Sequence, residues 1–210
     1  MHYDKGYFEW QKDIGAVGGA VDKFKFEPYI RDTDTVIDFG CGGGYLLKNL
    51  ECSKRLGIEI NDVARRYAAE ENGIEVFADA DSVPDGIADV IISNHALEHT
   101  ENPLEIITRL SSKLKTDGKI VFVVPSERKK KYDPKDINMH LYTWSEQDIG
   151  NLFKRAGYHV EEVREIKHTW PPIAYRQIYE MFGEKFFYIV SCIWARLHRD
   201  LTQVRVVAHR

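Results

Sequence analysis

The chain has 210 residues, of which 43% are hydrophobic and 30% charged, with a formal net charge of −4. That length supports one well-packed core rather than two domains, and the mild acidity gives no global nucleic-acid footprint. The three cysteines, Cys41, Cys52 and Cys192, stand apart with no C-x-x-C pair, so neither a disulfide framework nor a cysteine zinc site is indicated; with no charged-then-apolar leader, a single cytoplasmic domain over residues 1–210 is expected.

The chain opens with Tyr7-Phe8-Glu9-Trp10-Gln11 and continues to Val17-Gly18-Gly19-Ala20, aromatic residues ahead of two glycines that read as flexible. Residues 34–39 read as a strand, and Val36-Ile37-Asp38-Phe39-Gly40-Cys41-Gly42-Gly43-Gly44 carries it into a glycine loop that opens a helix at 43–50. Phosphate-cradling loops rely on bare N–H groups and a helix N-terminus. Asp38 at that edge opposes a pyrophosphate, and the dinucleotide pattern G-x-G-x-x-G fails at its third glycine, where Tyr45 stands. A cationic cofactor suits the loop better, which disfavours a nicotinamide-dinucleotide reductase. A second strand at 54–60 ends on Glu59, nineteen residues after Gly40, where an acid can accept both hydroxyls of a ribose.

A helix at 62–72 and a strand at 74–78 lead to Asp79-Ala80-Asp81-Ser82-Val83-Pro84. Asp79 there can accept from an exocyclic amine or build a turn. The almost unbroken apolar run at 88–93 suits a central strand buried on both faces, and it delivers Asn94-His95-Ala96-Leu97-Glu98-His99. Residues 95–99 fit the zinc-protease pattern H-x-x-E-H. Asn102-Pro103, however, caps and starts a new helix at once, so no metal is expected and Glu98 and His99 are assigned to capping and packing.

After a helix at 103–115 and a turn at Thr116-Asp117-Gly118, a fifth strand at 118–124 hands over to a long connection at 125–143. Ligands of open α/β sheets bind beyond the carboxyl ends of the strands, so this connection starts at the mouth of a site. His140 at its far end is the candidate general base, because imidazole titrates near neutral pH; Tyr142 and Trp144 are candidate substrate contacts. Arg128-Lys129-Lys130-Lys131 is a solvated charge run or a phosphate-binding one. Ser145-Glu146-Gln147-Asp148 reads as the capping box of a helix that stops at Gly157. Strands at 158–166 and 202–208 complete the set, and two helical stretches fill the insertion at 168–200. Its apolar run at 186–194 is too short to cross a membrane and is expected to pack on the body, roof the substrate or pair two copies.

The D-x-G-x-G-x-G run through Asp38, Gly40, Gly42 and Gly44, the acid Glu59, the D-A-x-x-V-P segment from Asp79 and the L-E-H segment at 97–99 together resemble class I S-adenosylmethionine-dependent methyltransferases. The resemblance covers about residues 34–166 and 202–210. It implies a Rossmann-like α/β fold with strand order 3-2-1-4-5-7-6 and strand 7 antiparallel, the 1–30 segment as a helical lid, and S-adenosylmethionine as cofactor. It places Asp38, Gly40, Cys41 and Gly42 in the cofactor loop, Glu59 at the ribose with Ile60 beside it against the cofactor, Asp79 and Ala80 at the adenine, and Asn94 and His95 at the methionine part. A sulfonium beside aromatic residues such as Trp10 would gain cation-π stabilisation. Similarity to quinone, sugar and natural-product enzymes favours a small-molecule acceptor, most simply a hydroxyl oxygen. A metabolite amine acceptor and a catalytically silent cofactor-binding module are the alternatives. No nucleic-acid partner is expected, and residues 168–200 are the candidate homodimer surface.

Overall fold

Seven apolar runs pair into one sheet in the order β3-β2-β1-β4-β5-β7-β6. The strands are β1 (Thr35–Phe39), β2 (Lys54–Ile58), β3 (Glu75–Phe77), β4 (Ala88–Asn94), β5 (Leu114–Glu127), β6 (His159–Ile166) and β7 (Leu201–His209). β1 to β5 run parallel, and β7 enters antiparallel between β5 and β6, the order and sense that the resemblance implies. This computed structural model describes residues 5–127, 131–198 and 201–210.

Alternation along the strands separates two cores, as the period-2 geometry of a strand requires. Ile37, Ile91, Ile120 and Phe122 face one side with Ile107 and Leu110 of helix α4 (Pro103–Lys113) and Ile149 and Phe153 of α5 (Glu146–Arg155). Val36, Val90, Ile92, Val121 and Val123 face the other, with Leu46 and Leu47 of the short α2 (Tyr45–Lys48) and Ala68 of α3 (Asp62–Asn72). Asn102 caps α4 by accepting from the Glu105 N–H, and Ser145 and Asp148 form the expected capping box of α5.

Two elements differ from the sequence expectation, and a third refines it. Gly18 and Gly19 are not a flexible hinge but lie inside a 17-residue helix, α1 (Lys5–Val21). A Cβ on Gly19 would stand 2.3 Å from the Tyr45 carbonyl oxygen, so the glycine is required by the close approach of α1 to α2 rather than by flexibility. β5 starts at Leu114, absorbing the expected turn at 116–118 as a register shift between Ala88 and Val90 of its neighbour, and runs on to Glu127. The insertion carries the two expected helical stretches, joined as α6 (Tyr175–Leu197) across a kink at Gly183, where φ is 75°. Its Phe187, Ser191 and Ala195 are buried, and Phe187 packs with Val17 and Val21 of α1. The opposite face leaves Phe186, Ile189, Ile193 and Leu197 exposed. No helix among the described residues is long and apolar enough to cross a membrane.

Candidate functional site

The carboxyl edge of the parallel strands carries two adjoining sites. The first is the glycine loop after β1. Gly40 and Cys41 donate their N–H groups to the Ile58 carbonyl (2.8 and 3.2 Å), which ties the loop to the end of β2. Gly40, Gly42 and Gly44 all hold positive φ, but for different reasons. A Cβ on Gly40 would lie 2.3 Å from the Ala96 Cβ, and one on Gly44 3.0 Å from Ile74; these two glycines seat the loop on its neighbours. Among the described residues, a Cβ on Gly42 would meet only Gln11 Oε1, at 3.5 Å, so space is open above it.

Glu59, just past β2, accepts the Gly42 N–H with Oε2 and the Asn61 N–H with Oε1, both at 2.8 Å. Asp38 is buried, and its Oδ1 has no hydrogen-bond partner among the described residues. Burial and the nearby Glu59 carboxylate push the Asp38 carboxyl well above its ordinary range. Burial also raises Glu59, against the opposing effect of its two backbone donors. Both carboxyls thus line a loop with open space above Gly42. Burial raises the Cys41 thiol well above its usual value, so it stays a neutral wall of the loop. Ile60 is 60% exposed beside this edge, and Ala80 is buried under the next loop. Asp79 builds a turn: its Oδ1 accepts from the Ser82 N–H and hydroxyl at 2.8 Å each, which holds its carboxyl below the usual carboxylate range. That is the structural alternative of the two readings its sequence allowed.

Asn94, at the end of β4, belongs to a buried polar knot. Its Oδ1 accepts from Lys25 Nζ and its Nδ2 donates to Asp22 Oδ2, each at 3.3 Å, while Lys25 and Asp22 pair at 2.9 Å. Burial raises Asp22, but Lys25 and His168 hold it below the usual carboxylate range; burial lowers Lys25. His168 is buried beside Asp22, and burial takes it down to about 4. None of these partners was legible as a site, since each is an isolated polar residue in its own stretch of sequence.

The second site lies beyond β4 and β5. His95 sits in the left-handed region at φ 57°, and its Nδ1 is 3.3 Å from Glu98 Oε1. Residues 97–99 form a single 3-10 turn. Glu98 is fully buried there, and neither carboxylate oxygen accepts a hydrogen bond among the described residues. The connection after β5 returns to this turn through the Leu141 N–H, which donates to the Glu98 carbonyl at 2.9 Å. It thereby sets His140 with Nε2 3.9 Å from Glu98 Oε1 and Nδ1 2.9 Å from Glu127 Oε2. The His99 and His140 rings meet edge to face at 4.9 Å.

An open cavity of about 450 Å³ borders this cluster, lined by Glu127, Tyr132, Met139, His140, Tyr142 and Thr143 among others. Tyr142 lines it and donates its hydroxyl to the Glu101 carbonyl. Trp144 instead packs in the main core at 7% exposure and stacks under Tyr142 at 5.4 Å; it supports the cavity wall from behind. Glu127 was missed because the strand was expected to stop at 124, and Glu98 because a local packing role explained it. The Trp10 side chain and the basic residues 128–130 lie outside the described residues.

Comparison with known proteins follows this geometry. A family model described as a methyltransferase domain matches residues 16–163. The ribosomal protein L11 methyltransferase of Cupriavidus metallidurans is 33% identical over 110 residues, covering 49% of this chain and 35% of that protein. The ubiquinone biosynthesis O-methyltransferase of Actinobacillus pleuropneumoniae is 32% identical over 116 residues, covering 46% of this chain and 48% of that protein. The matches thus span between a third and a half of those relatives' lengths. A putative methyltransferase from Haloferax volcanii, solved with the Trm112 activator, shares the fold with a TM-score of 0.67 at 18% identity, over 98% of this chain and 94% of its own.

Proposed function

The chain belongs to the methyltransferase-domain family, and from that premise we propose a cytoplasmic enzyme that methylates a hydroxyl oxygen of a small molecule. S-adenosylmethionine is the methyl donor of this family. The observation that carries the reading is the adjacency of the two sites. The residue after His95, Ala96, is the neighbour that Gly40 leaves room for, so the acceptor cluster begins where the cofactor loop ends.

The residues present fit the donor. Asp38 and Glu59 bring two carboxyls to the loop that a positive ligand would draw back toward their charged forms, and the space above Gly42 admits a ligand against the backbone. Glu59 can turn lone pairs to ribose hydroxyls while keeping its backbone donors, because a carboxylate has about four acceptor sites. Ile60 covers the adenine side, and Asn94 and His95 face the methionine part. When bound, the donor supplies a methyl group already activated on a sulfonium.

The chain's task is then mostly alignment. Holding nucleophile and methyl carbon in near-attack geometry supplies much of the barrier reduction. The cavity beside His140 and Tyr142 holds the acceptor, and His140 Nε2 activates it. Glu127 contributes by engaging Nδ1, which fixes the ring and leaves Nε2 toward the cluster. The relative that methylates oxygen in ubiquinone biosynthesis supports an oxygen acceptor. The exposed apolar face of α6 supports pairing of two copies, which light scattering in solution would test.

Calorimetry with S-adenosylmethionine, its demethylated product and the nicotinamide dinucleotides, followed by transfer of a labelled methyl group to a panel of phenols, sugars and amines, tests the reading. Binding of the first two ligands with transfer to hydroxyl acceptors is expected. Tight binding with no transfer to any acceptor would make the chain a cofactor-binding module, and transfer only to amines would move the reaction to nitrogen.

A further inference from the structure

The cluster beyond β4 contains more ligating groups than alignment of an acceptor requires. Glu98, His99 and His140 each direct one donor atom so that all three lie within 4.8 Å of one another. We propose that these residues bind one divalent transition-metal cation, Zn²⁺, Mn²⁺ or Fe²⁺, and that the methyl acceptor coordinates it through its oxygen. The proposal rests on the methyl-transfer reading above and specifies how His140 serves it.

Three observations point to a cation. Glu98 is fully buried, and neither of its oxygens accepts a hydrogen bond among the described residues. A carboxylate taken out of water without donors is costly unless a positive charge meets it. Three imidazoles surround it, with His95 the third at 3.3 Å, so the positive charge is provided for by nitrogen ligands rather than by Lys or Arg.

The third observation is the outer contact. The Glu127 carboxylate holds His140 Nδ1 at 2.9 Å, which leaves Nε2, the atom nearer Glu98, with its lone pair inward. A carboxylate on the far nitrogen of a histidine is the usual support of a metal-bound imidazole. Two imidazoles and one carboxylate suit Zn²⁺, Mn²⁺ or Fe²⁺ and leave coordination positions open, whereas Mg²⁺ and Ca²⁺ favour all-oxygen sets. This ligand set is not the one that the H-x-x-E-H pattern suggested, which would take His95 and His99 from a single helix. Here residues 97–99 form only one turn, and the third ligand arrives from the end of the connection after β5.

The chemistry follows from the open positions. An acceptor hydroxyl bound to the cation becomes more acidic and releases its proton to water in the adjoining cavity. The oxygen then forms a bond to the methyl carbon as the carbon–sulfur bond breaks, and that electron pair returns to sulfur, leaving a neutral thioether. His140 acts throughout as a ligand rather than as the proton acceptor.

Protein dialysed against a chelator is titrated with Co²⁺, Zn²⁺ and Mn²⁺, with and without S-adenosylhomocysteine, while binding heat and Co²⁺ visible absorption are followed. One equivalent per chain with imidazole-type Co²⁺ bands is expected. Glu98→Gln and His140→Ala should each weaken binding at least tenfold, and Glu127→Gln should weaken it by roughly 10- to 100-fold. Circular dichroism on each variant separates lost ligands from lost folding, and the wild-type Co²⁺ spectrum reads the ligand type without any variant. No binding, a spectrum without imidazole ligation, or affinity unchanged in the folded variants overturns the cation. If cofactor heat persists in the same samples while the metal fails, the methyl-transfer reading stands without it. If cofactor heat is absent as well, the broader reading has failed.

Discussion

The two halves of the mouth are built in opposite ways. The proposed cofactor half is a contiguous loop, residues 38–44, closed by one acid from just past the next strand, and it is built mainly of backbone and space. The proposed acceptor half is assembled from side chains of three separate segments, at 95–99, 127 and 140, drawn together by backbone bonds from Leu141 to Glu98, Trp144 to Pro125 and His95 to Val123. Their charges also differ. The first half sets two buried carboxyls together, with Arg65 beside Glu59; the second sets imidazoles around a buried carboxylate. A site of backbone and glycine can be written in one short motif, while a site of converging side chains depends on where loops return.

The sharpest way to break this comparison is His140→Ala. If the acceptor half depends on that side chain, kcat should fall roughly 10²- to 10⁴-fold while calorimetric cofactor affinity barely moves. Near-wild-type turnover on the true acceptor would leave alignment by the cofactor half as the whole mechanism.

Within the loop, Gly40 and Gly42 should separate folding from binding. Gly40→Val forces a Cβ against Ala96 and strains a left-handed residue, so it should cost about 3 kcal/mol or more in chemical denaturation. Gly42→Ala meets open space and should cost only about 1 to 2 kcal/mol of stability, from its backbone conformation, yet weaken the cofactor by obstructing its approach. Equal stability losses for the two would show that the loop has no such division of labour.

The knot behind Asn94 should respond to acid. His168 sits near 4 in the folded chain against an ordinary 6.5, so the unfolded chain binds the extra proton between those values. Stability is therefore unaffected above about pH 6.5 and falls as the pH drops toward 4, by about 3 kcal/mol at most. Denaturation curves of wild type and His168→Gln across that window should differ in slope, with the variant flatter; parallel curves would remove His168 from the acid response.

The smallest expected effect is on Glu59. Glu59→Ala should weaken cofactor binding by about 1.5 to 3 kcal/mol, part of it through the loss of the Gly42 tether. The fold should survive, because the acid lies beyond the end of β2. Unchanged affinity in the folded variant would contradict its place at the ribose.

Much of the architecture was legible in the sequence because local patterns decide it. Alternating apolar runs fix which face each strand buries, and the caps at Asn102 and Ser145 start their helices from adjacent residues alone. The glycine loop and Glu59 were legible for the same reason, since the turn, the acid and their spacing are all encoded within one βαβ unit. Gly18 and Gly19 misled, because a glycine required by close helix packing looks in sequence like one that permits motion. The expected turn at 116–118 failed because pairing with Ala88 stabilises an earlier start to β5 than its residues favour.

By itself, then, the sequence determined the strand order's local units, the cofactor edge and the character of its ligand, since backbone conformation and charge act over a few residues. Only the tertiary structure decided that Glu127 orients His140, that Glu98 meets His140, and that Asn94 is tied to Asp22 and Lys25. Those partners are separated by 13 to 72 positions along the chain, and no local preference encodes a contact across such distances. It is the length of β5 and the return of the connection beyond it that bring the acceptor side into being.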